Sequence, residues 1–335
     1  MPWRWIVEGP GYSRAAHQPG EASVAMNHKP IVVVGSINMD LVARAERIPL
    51  AGETVTSSDF QMHPGGKGAN QAVAVARLGY PVRMIGRVGS DAFGESLRSQ
   101  LVRSAVDTAG VRTSQGPSGV AVISVARNGE NAIVVTPGAN ALVSPSDVDE
   151  NADAIGEAGL VLAQLEIPME TVRQLGEVCA RMKVPLILDP APARALPKKL
   201  LQHVSWLTPN ETEIARCVPD AEAVSSSRDT FEILEVLVKR LGRGLLLKMG
   251  SRGVYLASKN GARQQIDAFP VEAVDTTGAG DSFNGGFAVG LMMGKSPLES
   301  ARLAVAASAL SVTRAGAQPS MPTMEEVNRL LGQSS

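Results

Sequence analysis

From residue 31 onward, short unbroken apolar runs alternate with stretches whose apolar residues recur at helical spacing. The runs are 31–37 (IVVVGSI), 81–89 (PVRMIGRVG), 160–165 (LVLAQL), 185–190 (PLILDP), 205–210 (SWLTPN) and 244–250 (GLLLKMG). A strand with one face in water alternates polar and apolar residues, whereas an unbroken run suits a parallel strand covered on both faces. Helical patterns fall at 68–79, 94–106, 169–183, 229–241, 282–293 and 298–313. This alternation predicts βαβ units and a doubly wound, mostly parallel α/β sheet flanked by helices.

Two regions break the rhythm. Residues 38–64 alternate polar and apolar positions (ETVTSSDFQMH) and hold no good helix. Residues 115–136 carry two β-rich runs around Asn128-Gly129, a hairpin dipeptide. Both leave the same end of the α/β frame. They are expected to form a small antiparallel β lid over the active-site edge, with two ordinary hairpins as the competing reading.

Composition removes several classes. Lys and Arg total 32 against 33 Asp and Glu, so the net charge is −1. No global basic field exists to hold nucleic acid or anionic lipid, and any phosphate must be held by a local device. Cys179 and Cys217 are the only cysteines and are far apart. This argues against a disulfide framework and for a reducing cytoplasm. The four histidines are scattered, so no transition-metal cluster is expected. No stretch reaches the 18 or so apolar residues of a membrane span. Residues 1–26 lack an apolar run of signal-peptide length, with Glu8 interrupting the only candidate. They are expected to be a disordered leader, or to precede a true start at Met26. Residues 27–335 then form one domain.

The chemistry concentrates in glycine-rich stretches at helix starts. In DTTGAGDSFNGGF (275–287), Gly278, Ala279 and Gly280 precede Asp281. A helix N-terminus exposes unpaired N–H groups and a partial positive charge, and small residues let an oxyanion approach closely. An N-cap alone needs no triple-small run. An acid beside a bound anion makes sense when it takes a proton, so Asp281 reads as a general base for phosphoryl transfer. HPGGKGANQAVAVARLG (63–79) opens another helix with Gly65, Gly66 and Gly68, and offers Lys67 and Asn70. GSINMD (35–40) puts Asn38 and Asp40 on one side of an extended chain, a spacing suited to polyol hydroxyls. In TPNETE (208–213), Asn210 and Glu213 share a helix face and can hold Mg²⁺ or form a capping box. GLMMGKS (290–296) is one residue short of a P-loop and follows a helix, so it reads as a helix end. No G-x-G-x-x-G is present.

Taken together, these residues resemble the ribokinase-type (phosphofructokinase-B) carbohydrate kinases, from about residue 30 to 330. The two glycine motifs carry the resemblance, with QLE (164–166), DPAPAR (189–194), TPNETE, GSRG (250–253) and VTRAGAQPSMP (312–322) between and after them. The resemblance implies that Asn38, Asp40, Gly66, Lys67, Gly68, Asn70 and Glu166 bind the sugar. It implies that Asn210, Lys248, Gly250, Ser251, Arg252, Gly253 and Gly280 contact ATP, with Glu213 near Mg²⁺. Gly278, Ala279 and Gly280 would form the anion hole, and Asp281 the base on a primary hydroxyl. Asp275, Thr277, Ser311, Arg314, Gly316 and Ser320 would surround an activating K⁺. The lid would pair two copies as a homodimer. Val305 stands where some members carry a histidine near the adenine.

The expected reaction is ATP-dependent phosphorylation of D-ribose at its 5-hydroxyl. A sister kinase for another small sugar or a nucleoside is the alternative. The low aromatic content, 4%, disfavours a nucleoside. A non-catalytic sugar sensor on the same fold would have no need of Asp281 and the anion hole.

Overall fold

A computed structural model describes residues 29–217 and 230–333. The expected leader, 1–26, lies outside these. The strands are β1 (Ile31–Val34), β2 (Asn38–Ala45), β3 (Asp59–Gly65), β4 (Val82–Gly89), β5 (Asp107–Ser114), β6 (Gly119–Ala126), β7 (Asn131–Thr136), β8 (Leu160–Ala163), β9 (Leu186–Leu188), β10 (Trp206–Leu207), β11 (Gly244–Lys248), β12 (Val254–Ser258) and β13 (Arg263–Ile266). The helices are α1 (Lys67–Arg77), α2 (Ala92–Arg103), α3 (Pro145–Glu150), α4 (Ala152–Glu157), α5 (Met169–Met182), α6 (Lys198–His203), α7 (Glu211–Ile214), α8 (Thr230–Val238), α9 (Ala279–Met292), α10 (Pro297–Ser311) and α11 (Met324–Gln333).

The main sheet runs β13-β12-β11-β10-β9-β8-β1-β4-β5, parallel from β11 to β5 and antiparallel at β12 and β13. The unbroken apolar runs are explained by burial on both faces. Ile31 and Val33 join the core with Phe287 of α9 and Leu303 of α10. Val32 and Val34 join the opposite core with Val172 of α5 and Leu234 of α8. All four are fully buried.

Three strands escape the apolar-run criterion. β5 (DTAGVRTS) and β13 (RQQI) are sheet edges, where one flank meets solvent and polar residues are tolerated, and β12 forms the hairpin with β13. The GLMMGKS stretch is a helix end: α9 stops at Met292, Gly294 adopts φ 77°, and Ser296 caps α10.

The two interrupting segments do form one small sheet, ordered β3-β2-β6-β7. Its outer pairs are antiparallel, but its central pair, β2–β6, is parallel, which corrects the expectation of purely antiparallel strands. The reason is connectivity: β2 follows β1 and β6 follows β5, and β1 and β5 belong to one parallel sheet, so both strands set out in the same direction. The hairpin at Asn128-Gly129 is present, with Gly129 at φ 87°.

The chain winds one way from β1 through β4 to β5 and the other way from β8 through β9 and β10 to β11. The order therefore reverses between β1 and β8. In open α/β sheets the ligand crevice opens beyond the carboxyl ends of strands at such a switch point.

Candidate active site

The strand ends at the switch point supply the first groups. After β1 comes Ser36, and after β8 come Gln164 and Glu166. Ser36 Oγ donates to Glu166 Oε2, and the Lys67 backbone N–H donates to the same oxygen at 3.1 Å. The N-terminus of α1 is thereby fixed to both strands. Gly68 is required by packing: a Cβ there would lie 2.7 Å from the Gly35 carbonyl carbon and from the Ser36 nitrogen. Its place is under the site, against the β1 backbone.

The small sheet adds Asn38 and Asp40 from β2. Asn38 Oδ1 accepts from Asn140 Nδ2 at 2.7 Å, and Asn140 also bonds the Ile37 backbone at both N and O. Burial is the first cause that pushes the Asp40 carboxyl up to about 7; the Glu166 and Asp281 charges add to it and Lys67 opposes it. Burial alone would lower the Lys67 ammonium, but Asp281, Asp189, Glu166 and Glu213 outweigh it and hold it above its ordinary value. Asp40, Lys67, Glu166 and Asp281 thus form one electrostatic cluster, though they come from four separate segments.

The second glycine motif is a helix start, three residues earlier than the 282–293 pattern suggests. Gly278 is the N-cap at φ 75°, a left-handed conformation that favours glycine. The Ala279 N–H turns back to Thr276 O at 3.2 Å. Of the three expected hole amides, Ala279's is therefore engaged. The N–H groups of Gly280 and Asp281 meet no protein acceptor among the described residues. Asp281, 4% exposed, sits in this first turn. Its Oδ2 accepts from Asn70 Nδ2 at 3.0 Å and its Oδ1 from Gln71 Nε2 at 3.1 Å. Burial pushes its carboxyl up to about 6; Lys67 opposes this, Asp189 adds to it, and the two amide donors pull it back. A buried carboxyl poised near neutrality beside open helix amides can take a proton while the amides hold developing negative charge.

Beyond β10 the capping box is built. Asn210 Oδ1 accepts the N–H groups of Thr212 (2.9 Å) and Glu213 (2.8 Å), and Glu213 Oε2 accepts the Asn210 N–H at 2.8 Å. Glu213 Oε1 has no protein donor among the described residues, and its charge acts on Lys67. Gly250, Ser251 and Arg252 form a single exposed turn after β11, closed by Gly253 at φ 84°. Arg252 pairs with Glu211. Lys248 Nζ contacts Asp189 Oδ1 at 3.0 Å.

In the loop leading into α9, Asp275 Oδ1 accepts from Thr277 N (2.9 Å) and Thr277 Oγ1 (2.6 Å), and Oδ2 from Gly316 N (2.8 Å). Burial would raise the Asp275 carboxyl, but the Thr277 and Gly316 donors hold it below the usual range. Arg314 pairs with Glu326. Ser311 Oγ and Ser320 Oγ donate to the carbonyls of Ser308 and Ala317.

Sequence reasoning missed Ser36, Gln71, Asn140, Gln164, Asp189 and Gln318. Gln318 Nε2 reaches Asn70 Oδ1 at 3.3 Å. Gln71, Gln164 and Asp189 each left a signal, a polar residue inside a buried helix, inside an apolar run and near the end of one, whereas Ser36, Asn140 and Gln318 left none.

Comparison with known proteins follows the same lines. A family profile described as "pfkB family carbohydrate kinase" matches residues 28–324. A ribokinase of Lactococcus lactis is 42% identical over 302 residues, covering 90% of this chain and 96% of its own. One of Bacillus subtilis is 42% identical over 302 residues, covering 90% and 99%. A solved structure of Arabidopsis thaliana ribokinase, described as complexed with ribose and ATP, superposes with a TM-score of 0.82 at 36% identity, covering 90% of this chain and 98% of that one. Fold, motifs and relatives agree: this chain belongs to the pfkB family of carbohydrate kinases.

Proposed function

We propose that this chain transfers the γ-phosphoryl group of ATP to the 5-hydroxyl of D-ribose, giving D-ribose 5-phosphate and ADP. The observation that carries this reading is Asp281: a buried carboxylate in the first turn of α9, beside two open amides and within the electrostatic reach of Asp40 and Lys67. The Arabidopsis relative, solved with ribose and ATP, shares this fold over nearly its full length.

Ribose hydroxyls pair with Asn38, Asp40, Lys67, Asn70 and Glu166 over the α1 N-terminus, which Gly66 and Gly68 allow to lie against the backbone of residues 35–38. The primary hydroxyl then faces Asp281. Its oxygen attacks the γ-phosphorus as Asp281 accepts its proton, and the bond to the bridging oxygen breaks to release ADP. The amides of Gly280 and Asp281, at the end of the Gly278-Ala279-Gly280 stretch, oppose the charge on the phosphoryl oxygens. Asn210, Lys248 and the Gly250–Gly253 turn hold the nucleotide. Val305 of α10, 5% exposed, is apolar enough to pack near the base.

Mg²⁺ bound with ATP supplies charge neutralisation on the phosphates, and the free Oε1 of Glu213 fits a place beside it, directly or through water. A K⁺ behind the anion hole would be held by backbone oxygens between Asp275-Thr277 and Ser311–Ser320. The carbonyls of Arg314 and Gly316 accept no hydrogen bond among the described residues, which fits that role. The charge at this site comes from Asp275.

The lid supports pairing of two copies. Met62, Leu41, Val122 and Val134 stand in one register row across it, and Met62, Val122 and Val134 are each about half exposed or more. Among the described residues no helix is long and apolar enough to cross a membrane. With both thiols buried and free, a cytoplasmic kinase is the setting that fits.

The test is ADP release, coupled to a reporter reaction, across pentoses, hexoses and nucleosides. Ribose should give the highest kcat/KM, above 2-deoxyribose. A nucleoside or hexose as best acceptor would reassign the substrate.

A further inference from the structure

Between the base and the nucleotide turn runs a chain of polar side chains whose buried inner members, Gln71, Gln164 and Asp189, have no role above. Gln71 of α1 is fully buried. Its Nε2 donates to Asp281 Oδ1 and to Asp189 Oδ2, both at 3.1 Å. An amide nitrogen carries two hydrogens, so each carboxylate takes one. Its Oε1 accepts from Gln164 Nε2 at 2.7 Å, with Gln164 also fully buried. The amide cannot be turned over, because its oxygen would then face two carboxylates. Asp189, 2% exposed, spends its other oxygen on Lys248 Nζ. Lys248 in turn reaches the anion hole: a Cβ built on Gly280 would stand 3.4 Å from its Nζ. The path from Asp281 through Gln71, Asp189 and Lys248 therefore ends at Gly280, the residue just before Asp281.

A need for packing alone does not account for this. Two carboxylates, each under 5% exposed, share one amide at a cost in desolvation and mutual repulsion that apolar residues would avoid. We propose that Gln71 and Asp189 are positioning residues that lock the Asp281 carboxylate and the Lys248 ammonium into one unit. The proton acceptor and a cation at the anion hole are then set together. This rests on the reading of Asp281 as the base.

The charged groups facing Asp281 are Lys67 of α1, Asp189 after β9 and Asp40 of β2. At saturating ribose Asp40 is covered, so the acid limb of kcat reports chiefly on Asp281. The two bridge residues act on it in opposite directions. Gln71 donors favour the ionised form and Asp189 disfavours it.

The experiment is the pH dependence of kcat for the full chain with ribose and MgATP. Gln71→Leu should move the acid limb to higher pH. It should also lower the plateau about 10- to 100-fold, the scale of a misplaced reacting group, with KM for ribose within a few-fold. Asp189→Asn keeps the shape and should move the limb to lower pH, so the test survives if Gln71→Leu folds poorly. Asp189→Asn combined with Lys248→Met should cost no more than Lys248→Met alone, because the pair acts as a unit. Opposite limb shifts with this non-additivity support the proposal. Limbs coincident with wild type, limbs moving the same way, or additive losses overturn it. Wild-type kcat in Asp281→Asn would overturn the base reading and this proposal together. Unshifted limbs in an enzyme silenced by Asp281→Asn would overturn the positioning alone.

Discussion

Asp275 Oδ2 accepts the backbone N–H of Gly316 at 2.8 Å, joining two loops 41 residues apart in the chain. The first loop leads directly into the amides of Gly280 and Asp281, so whatever steadies this contact also aims them. A K⁺ among the loop carbonyls would do so without touching substrate. At fixed ionic strength, replacing K⁺ by tetramethylammonium should lower the initial rate several-fold or more. Asp275→Ala should abolish the response. A wild-type rate indifferent to K⁺ would remove the cation site and leave the kinase reading intact.

In the proposed sugar-binding role Asp40 would accept hydroxyl hydrogen bonds best when ionised, yet its carboxyl is pushed up to about 7. Ribose affinity should therefore rise as pH increases through 7. Asp40→Ala should cost about 1–3 kcal/mol of ribose binding by calorimetry, since buried hydroxyls lose an acceptor. Stability moves the other way. The folded chain binds this proton more tightly than the unfolded chain, whose carboxyl titrates near 3.8, so the Asp40 contribution declines as pH rises from about 4 through 7. The ligand-free Asp40→Asn variant should melt higher than wild type at pH 8, and the difference should vanish toward pH 4. Equal melting curves at pH 8 would contradict the shift.

Far from the chemistry, Asp147 holds the β4–β5 edge. Its carboxylate, 2% exposed, accepts from Arg87 Nη2 and Nε at 2.8 Å, Arg112 Nη1 at 3.0 Å and the Ser144 N–H at 2.8 Å. Asp147 is buried while Arg87 and Arg112 keep access to water, so its loss strands mainly the Ser144 N–H and the half-buried Arg87. Asp147→Ala should therefore lower unfolding free energy by about 1–3 kcal/mol in urea titration. Burial would raise this carboxyl, but the Arg87 and Ser144 donors hold it below its ordinary value. The stabilisation is thus present above the usual carboxylate range and lost as pH falls through the lowered value. A loss under about 1 kcal/mol would show that the guanidinium groups find other partners.

The doubly wound core was legible because burial on both faces writes an unbroken apolar run, as in Ile31–Val34 and Leu245–Leu247. β5 and β13 were not, because edge strands need no such run. The glycine motifs announced themselves by local spacing. Gln71 and Asp189 did not, since their meaning depends on partners brought close only by the reversal of strand order: Gln71 lies 118 residues from Asp189 and 210 from Asp281. Asn210 and Glu213 remained ambiguous for a physical reason, as one spacing serves both a cap and a metal. The structure forms the cap and leaves Glu213 Oε1 without a protein donor among the described residues.

The central claim is that Asp281 takes the proton from the attacking hydroxyl. Positioned acid–base groups contribute about 10²–10⁴-fold. Single-turnover and steady-state kcat for Asp281→Asn, at saturating ribose and MgATP, should fall at least about 10²-fold below wild type. Ribose binding by calorimetry should stay within a few-fold. A kcat within a few-fold of wild type, with ribose bound normally, would contradict the account.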